Sequence, residues 1–145
     1  MAKPRTSFLL PVRNGEKTLE DAIRSICAQT DPDFEVVIIN DNSHDRSSDI
    51  ACSFDDPRIR VFQNTGAGLV DALNTGLQAA QGDFIARMDA DDLTTPDRLE
   101  LQLPYFDEPR LGVIDGQVEF WSQHSSVAAG MALYGDWVNS VTTPA

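Results

Sequence analysis

The segment Phe34-Glu35-Val36-Val37-Ile38-Ile39 constrains the fold of this chain more than any other. It is apolar and rich in β-branched residues, the composition of a strand buried on both faces. Such a strand needs helices above and below it, and its neighbours supply them. Ser7–Val12 reads as a short apolar strand ending at a proline. Glu16–Gln29 places Leu19, Ala22, Ile23, Ile26 and Cys27 at helical spacing. Asp45–Phe54 is a weaker helix with Ser43 as candidate N-cap, and Arg58–Phe62 is a short strand. Ala67–Ala80 is a clear helix with Leu69, Val70, Leu73, Leu77 and Ala80 along one side, closed by Gly82 as a C′ glycine. Asp83–Met88 reads as a buried, central strand. Pro96 then opens another helix as its first residue, capped by Thr95. Gly112–Phe120 can supply one or two further strands, and Trp121–Gly130 reads as a loop. This alternation predicts an α/β fold, a largely parallel sheet with helices on both faces. In such sheets ligands sit beyond the carboxyl ends of the strands.

Those ends carry the chemistry. The first strand delivers Pro11-Val12-Arg13-Asn14, the second Asn40-Asp41-Asn42-Ser43, and the fourth Asp89-Ala90-Asp91-Asp92. Three polar, mostly acidic clusters therefore converge on one edge. Amides and carboxylates suit hydrogen bonding to a nucleobase and to ribose hydroxyls. Three carboxylates within four residues repel one another unless a positive charge sits between them. A divalent cation with oxygen ligands, shared with substrate phosphates, is the usual solution.

A chain of 145 residues, 41% hydrophobic and 23% charged, suits one globular domain with a real core. No apolar run approaches the roughly 20 residues that span a bilayer. The basic start, Met1-Ala2-Lys3-Pro4-Arg5, is followed by too short an apolar run for a signal peptide, so cytoplasm is expected. A net charge of -12 argues against nucleic acid as a partner. Cys27 and Cys52 match no zinc pattern and read as buried free thiols.

Other motifs fail on their own terms. Gly66-Ala67-Gly68 resembles a dinucleotide fingerprint, but the third glycine position holds Asp71 and the motif should follow the first strand. Asp89–Glu100 has acids at three EF-hand positions but Thr94 where the loop needs glycine. His44 and His124 lie far apart, as exposed or capping residues. Ser47 and Ser48 belong to a helix start, and no nucleophile triad stands out.

Four segments together resemble the amino-terminal part of a glycosyltransferase of family 2, the nucleotide-diphospho-sugar transferases with the GT-A fold, a Rossmann-like, mostly parallel sheet. They are Pro11–Gly15, Val37–Asp45, the run from Ala72-Leu73-Asn74 to Gly82, and Ile85–Asp92 followed by Pro96-Asp97-Arg98-Leu99. The resemblance covers residues 6 to about 103 and implies a single nucleotide-sugar-binding domain over 1–145, incomplete at its carboxyl end. It implies that Pro11 packs on the base and that Asp41 accepts a hydrogen bond from it. Arg13 and Asn14 join the nucleotide-sugar set. Asp89 contacts the ribose or the metal-bound diphosphate, and Asp91 coordinates Mg²⁺ or Mn²⁺. Arg13 departs from the aromatic residue often seen there, although a guanidinium can stack on a base. Asn40 replaces a common aspartate.

The implied activity is metal-assisted transfer of a sugar from a nucleotide-diphospho-sugar, UDP-sugar favoured, to an acceptor hydroxyl on a glycan, lipid or protein. The implied setting is cell-surface polysaccharide biosynthesis, in the cytoplasm or peripherally at the inner face of the membrane. An inverting transferase also needs a general base, which in the family comes from a later segment. Leu133–Asn139 resembles what precedes that segment, and Asp136 beside Trp137 lies too early to serve. The alternative is a non-catalytic donor-binding fragment or subunit lacking the base. A nucleotidyltransferase is the weaker alternative, because Arg13-Asn14-Gly15-Glu16-Lys17 is a poor version of its glycine-rich basic loop.

Overall fold

The computed structural model describes residues 3–120, 127 and 129–140. Its residues cluster into two compact units, Met1–Leu103 and Pro104–Ala145. In the first, β1 (Thr6–Val12), α1 (Leu19–Cys27), β2 (Phe34–Asn40), α2 (Ser47–Cys52), β3 (Ile59–Gln63), α3 (Leu69–Ala79), β4 (Phe84–Arg87) and α4 (Arg98–Gln102) follow in order. The four strands form one parallel sheet in the order β3-β2-β1-β4. Every residue of β1 and β2 is buried, as FEVVII demands.

Chain direction decides where the helices lie. The β1-α1-β2-α2-β3 path runs one way across the sheet, and α3 returns past β2 and β1 to β4. Right-handed crossovers therefore put α1 and α2 on one face and α3 on the other. Alternation along the strands sends Leu9, Val37 and Ile39 to the α3 side, where they form a core cluster with Ala72. Leu19, Ala22, Ile23 and Ile26 are the buried stripe of α1.

Several expectations change. β4 is not central: it pairs with β1 and is the outer strand of the sheet among the described residues. With one neighbour, its Ile85 is left 43% exposed. The side of α3 that meets the sheet is Ala72 and Gly76, whereas Leu69, Val70 and Leu77 face outward. Close approach explains this, because a Cβ on Gly76 would lie 2.7 Å from Ile39 Cδ1. Hydrophobicity pointed to the leucines, and packing distance selected the small residues.

Gly82 is not the C′ residue of α3, which already ends at Ala79. It is small because a Cβ there would meet the backbone of Thr6 and Ser7 at 2.6–2.7 Å. Ser43 does not cap α2, which starts at Ser47 without a side-chain cap. Nor does Thr95 cap the next helix. α4 begins at Arg98, and the Thr95 carbonyl instead accepts the side-chain amide of Gln29 at 2.6 Å. Both cysteines are free, but Cys52 is exposed and Cys27 half-buried. Burial first, then the neighbouring Asp56 carboxylate, pushes the Cys27 thiol above its ordinary range.

A 3-10 turn, Leu103–Asp107, starts at the last residue of the first unit; irregular chain follows it in the second, and α5 spans Ala129–Ser140. No strand forms over residues 112–120. The Asn139 side chain takes the place of a strand partner there, accepting from Val118 N at 2.8 Å and donating to Val118 O at 2.7 Å. His124 and most of the loop expected at 121–130 lie outside the described residues. No helix among the described residues is long and apolar enough to cross a membrane.

Candidate functional site

Strand order reverses at β1: the chain adds β2 and β3 on one side of it and β4 on the other. The gap beyond the carboxyl ends of β1 and its neighbours is a topological switch point, the usual ligand crevice of an open parallel sheet. β4 pairs with β1 only as far as Leu9↔Arg87. Pro11 therefore lies beyond that ladder, where a missing N–H on the β4 side costs nothing.

The β1 and β2 loops are joined by side chains. Asn14 and Asn42 adopt left-handed φ values of 53° and 54°, a conformation asparagine tolerates better than most residues. Asn14 N donates to Ser43 Oγ at 3.0 Å, Gly15 N to Ser47 Oγ at 2.9 Å and Glu16 N to Asp45 Oδ2 at 2.9 Å. In return, His44 N donates to Asn14 Oδ1 at 2.8 Å and Arg46 N to Glu16 Oε2 at 3.2 Å. The hydroxyl of Ser47, with the amides of Glu16 and Ser47, holds the Asp45 carboxyl below its usual range. Asn14 thus spends its side-chain oxygen on the loop seam, and His44 is exposed.

Two cavities open at this edge. One, of about 180 Å³, is lined by Pro11, Val12, Arg13, Asp41, Gly68, Leu69 and Ala72. The second, of about 300 Å³, includes Arg13, Asn14, Gly15, Thr18, Asp89 and Asp91. Pro11, Arg13 and Leu69 line both, so the two adjoin.

Asp41 closes the first cavity. It is 4% exposed, and its Oδ1 accepts from Asn64 Nδ2 at 2.7 Å. The Gly68 N–H reaches Oδ1 at 3.1 Å and Oδ2 at 3.0 Å. Arg13 Nη1 lies 3.9 Å from Oδ2, with its own side chain mostly in solvent. Two hydrogen-bond donors and a nearby guanidinium thus offset the burial of one carboxylate.

Asp89, Ala90 and Asp91 line the second cavity. Asp89 is bridged to Arg87 at 2.7 Å, and Asp91 and Asp92 are exposed. The Asp92 carboxyl is pushed up by partial desolvation, then by the charges of Asp91 and Asp89. Among the described residues, no three carboxylate, imidazole or thiolate groups converge on one point.

The structure therefore brings Pro11, Arg13, Asn14, Asp41, Asp89 and Asp91 to two adjoining cavities at one edge of the sheet. Asn64 and Gly68 were not foreseen from sequence. Both stand in the Asn64-Thr65-Gly66-Ala67-Gly68 stretch, whose glycines are the same ones that fail the dinucleotide pattern.

The chain is also similar to known proteins. The chain is 32% identical over 127 residues to the E. coli UDP-Glc:alpha-D-GlcNAc-diphosphoundecaprenol beta-1,3-glucosyltransferase WfgD, covering 87% of this chain and 50% of that protein. Among solved structures it resembles S. aureus TarS 1-349 in complex with UDP-GlcNAc, with a TM-score of 0.67, 28% identity, and 72% and 31% of the two chains covered. It also resembles the mannosyltransferase PcManGT from Pyrobaculum calidifontis in complex with GDP-Man and Mn²⁺, with a TM-score of 0.69, 27% identity, and 77% and 35% covered. The chain spans from 17% to 50% of the lengths of WfgD and seven further curated relatives. Its fold is that of the GT-A glycosyltransferases. The family model for glycosyl transferase family 2 matches residues 7–133, and the chain belongs to that family.

Proposed function

We propose that this chain forms the donor side of a glycosyltransferase and binds a nucleotide-diphospho-sugar with a divalent cation. One observation carries the reading: two adjoining cavities that share Pro11, Arg13 and Leu69 hold the buried carboxylate of Asp41 and the acidic pair Asp89 and Asp91. Pro11 and Leu69 line its apolar part and suit the faces of a base, while Asp41 suits an N–H on the base edge. Arg13 lies between the two cavities, where a guanidinium can stack on the base or meet the diphosphate. A uridine donor is favoured, since WfgD is named for UDP-Glc and TarS is complexed with UDP-GlcNAc.

The carboxylates fit Mg²⁺ or Mn²⁺. Such ions are commonly held by one or two carboxylates together with substrate phosphates rather than by an all-protein cage, and Asp89 and Asp91 line the same cavity. Asp91 would hold the ion, with Asp89 beside it toward the donor. When bound, the ion stabilises the negative charge that develops on the departing nucleoside diphosphate. No residue of this chain is assigned the role of general base, and its acceptor is left open. The cytoplasmic side of a membrane is the expected place of action.

Isothermal titration with UDP, with and without Mn²⁺, tests the reading. Binding should require Mn²⁺, and Asp91→Ala should abolish that requirement together with most of the affinity. No binding, or binding indifferent to Asp91→Ala, defeats it.

A further inference from the structure

Asn64 follows β3 directly and is 3% exposed, yet it touches no part of either cavity. Its amide reaches three separate pieces of chain. Nδ2 donates to Asp41 Oδ1 at 2.7 Å. Oδ1 accepts from Gly66 N at 3.3 Å and from the Thr75 hydroxyl on α3 at 3.2 Å. The Asn64 backbone N–H donates to Asn40 O at 2.9 Å, which fixes the residue against the end of β2. One side chain thus ties the Asp41 carboxylate, the glycine loop and the helix behind it.

The consequence lies in what Asp41 has left to offer. A carboxylate has about four acceptor directions. Asn64 and Gly68 occupy those of Oδ1, and Gly68 also engages Oδ2 at 3.0 Å. One acceptor direction, on Oδ2, is left for the cavity, beside the Arg13 guanidinium at 3.9 Å. A single acceptor next to a cationic donor matches a uracil edge, where one N–H stands between two carbonyls. A guanine edge presents two adjacent N–H groups and needs both carboxylate oxygens.

We propose that Asn64 is a positioning residue for donor recognition: it anchors Oδ1 of Asp41, leaves Oδ2 as the one acceptor in the cavity, and so sets a preference for uridine over guanosine diphosphates. This rests on the reading of that cavity as the base site, and it adds a residue that never touches the ligand. Freed from Asn64, the Asp41 carboxylate can rotate about χ2 and present both oxygens.

The test is titration of UDP and of GDP, each with Mn²⁺, into the full chain and its variants. Asn64→Ala should bind UDP about tenfold more weakly, as expected for loss of one hydrogen bond to a charged group, and its UDP-to-GDP affinity ratio should fall toward one. A purely structural role would weaken both nucleotides alike. Asn64→Asp gives a second, nearly isosteric variant. The groups facing the new pair are Arg13 from the end of β1 and the Thr75 hydroxyl on α3, while the nearest further carboxylate on α3, Asp71, is held by Ala67 N. Near pH 8 two ionised carboxylates repel, and UDP binding should be weak. Near pH 5.5 a shared proton restores the bond, and affinity relative to the unmodified chain at the same pH should recover. An Asn64→Ala chain with an unchanged ratio, or an Asn64→Asp chain without this recovery, overturns the proposal. Asp41→Ala separates the two levels. If it binds UDP normally, the base-site reading fails; if it loses UDP while Asn64→Ala keeps its ratio, only the role of Asn64 fails.

Discussion

Gly76 on α3 lies so close to Ile39 on β2 that a methyl group on it would sit 2.7 Å from Ile39 Cδ1 and 3.3 Å from Leu9 Cδ2. Two opposing effects then meet at one residue. Alanine is favoured over glycine in a helix by about 1 kcal/mol, while extra volume in a packed core costs about 1–3 kcal/mol. The obstructing atom is the tip of a flexible side chain, so Gly76→Ala should be close to neutral. Gly76→Val, with two more carbons, should lower urea stability by about 2 kcal/mol or more. Gly76→Ala combined with Ile39→Val, which removes the obstructing methyl, should be more stable than Ile39→Val alone. If Gly76→Val unfolds at the unmodified urea midpoint, α3 is not seated as described.

Gly68 makes a different demand. Its φ of 90° and ψ of 170° lie in a region essentially restricted to glycine, although a Cβ would meet nothing within 4 Å. Gly68→Ala should therefore cost about 1–3 kcal/mol through backbone strain alone. Relief of that strain turns its N–H away from Asp41, so the same variant should also lose UDP affinity. Thermal melts and titration on one sample check both halves.

Glu35 supplies the pH dependence of folding. Burial raises its carboxyl, but hydrogen bonds from the Ser7 hydroxyl, the Arg60 guanidinium and Gln81 N outweigh it and hold it below its ordinary range. A folded value below the unfolded one means that the unfolded chain binds more protons in acid. The stabilisation is therefore full above the unfolded carboxylate range near pH 4.5 and is lost as pH falls through the lower, folded value. Glu35→Gln keeps the shape but weakens the 2.8 Å bridge to Arg60. It should cost about 1–3 kcal/mol at pH 7 and flatten the fall in stability between pH 5 and about 3. Urea midpoints across that window decide it.

Ser43 offers a local test of the loop seam. Ser43→Ala removes the acceptor for Asn14 N. Loss of about 1 kcal/mol should speed hydrogen exchange of the Asn14 amide about fivefold, with strand amides in β1 and β2 unchanged. Uniform acceleration across the sheet would show that the seam is not an independent unit.

The strands and the fold class were legible because they are local. FEVVII has no polar face to give to solvent, and the order of apolar segments dictates a parallel sheet. Asp41, Asp89 and Asp91 were legible because strand ends in such a sheet point to one edge. The inward side of α3 was not legible, since Ala72 and Gly76 signal burial by being small, and that signal has meaning only once Ile39 is known to press on it. Phe84, Ile85, Ala86 and Met88 have the composition of a central strand, yet composition cannot say how many neighbours a strand has. Asn64 was invisible for a related reason. Its partners lie at 41, 66 and 75, and no spacing along the chain joins a polar residue after one strand to a carboxylate after another.

The seam between the β1 and β2 loops has a consequence of another kind. In the sheet, hydrogen bonds belong to the backbone and survive almost any change of side chain except proline. Between residues 14–16 and 43–47 each bond ends on a side-chain oxygen of Asn14, Glu16, Ser43, Asp45 or Ser47. A single codon change there deletes a bond outright. Drift in this protein should therefore reshape the rim of the crevice before it disturbs the floor, and donor selectivity can change while the scaffold beneath stays folded.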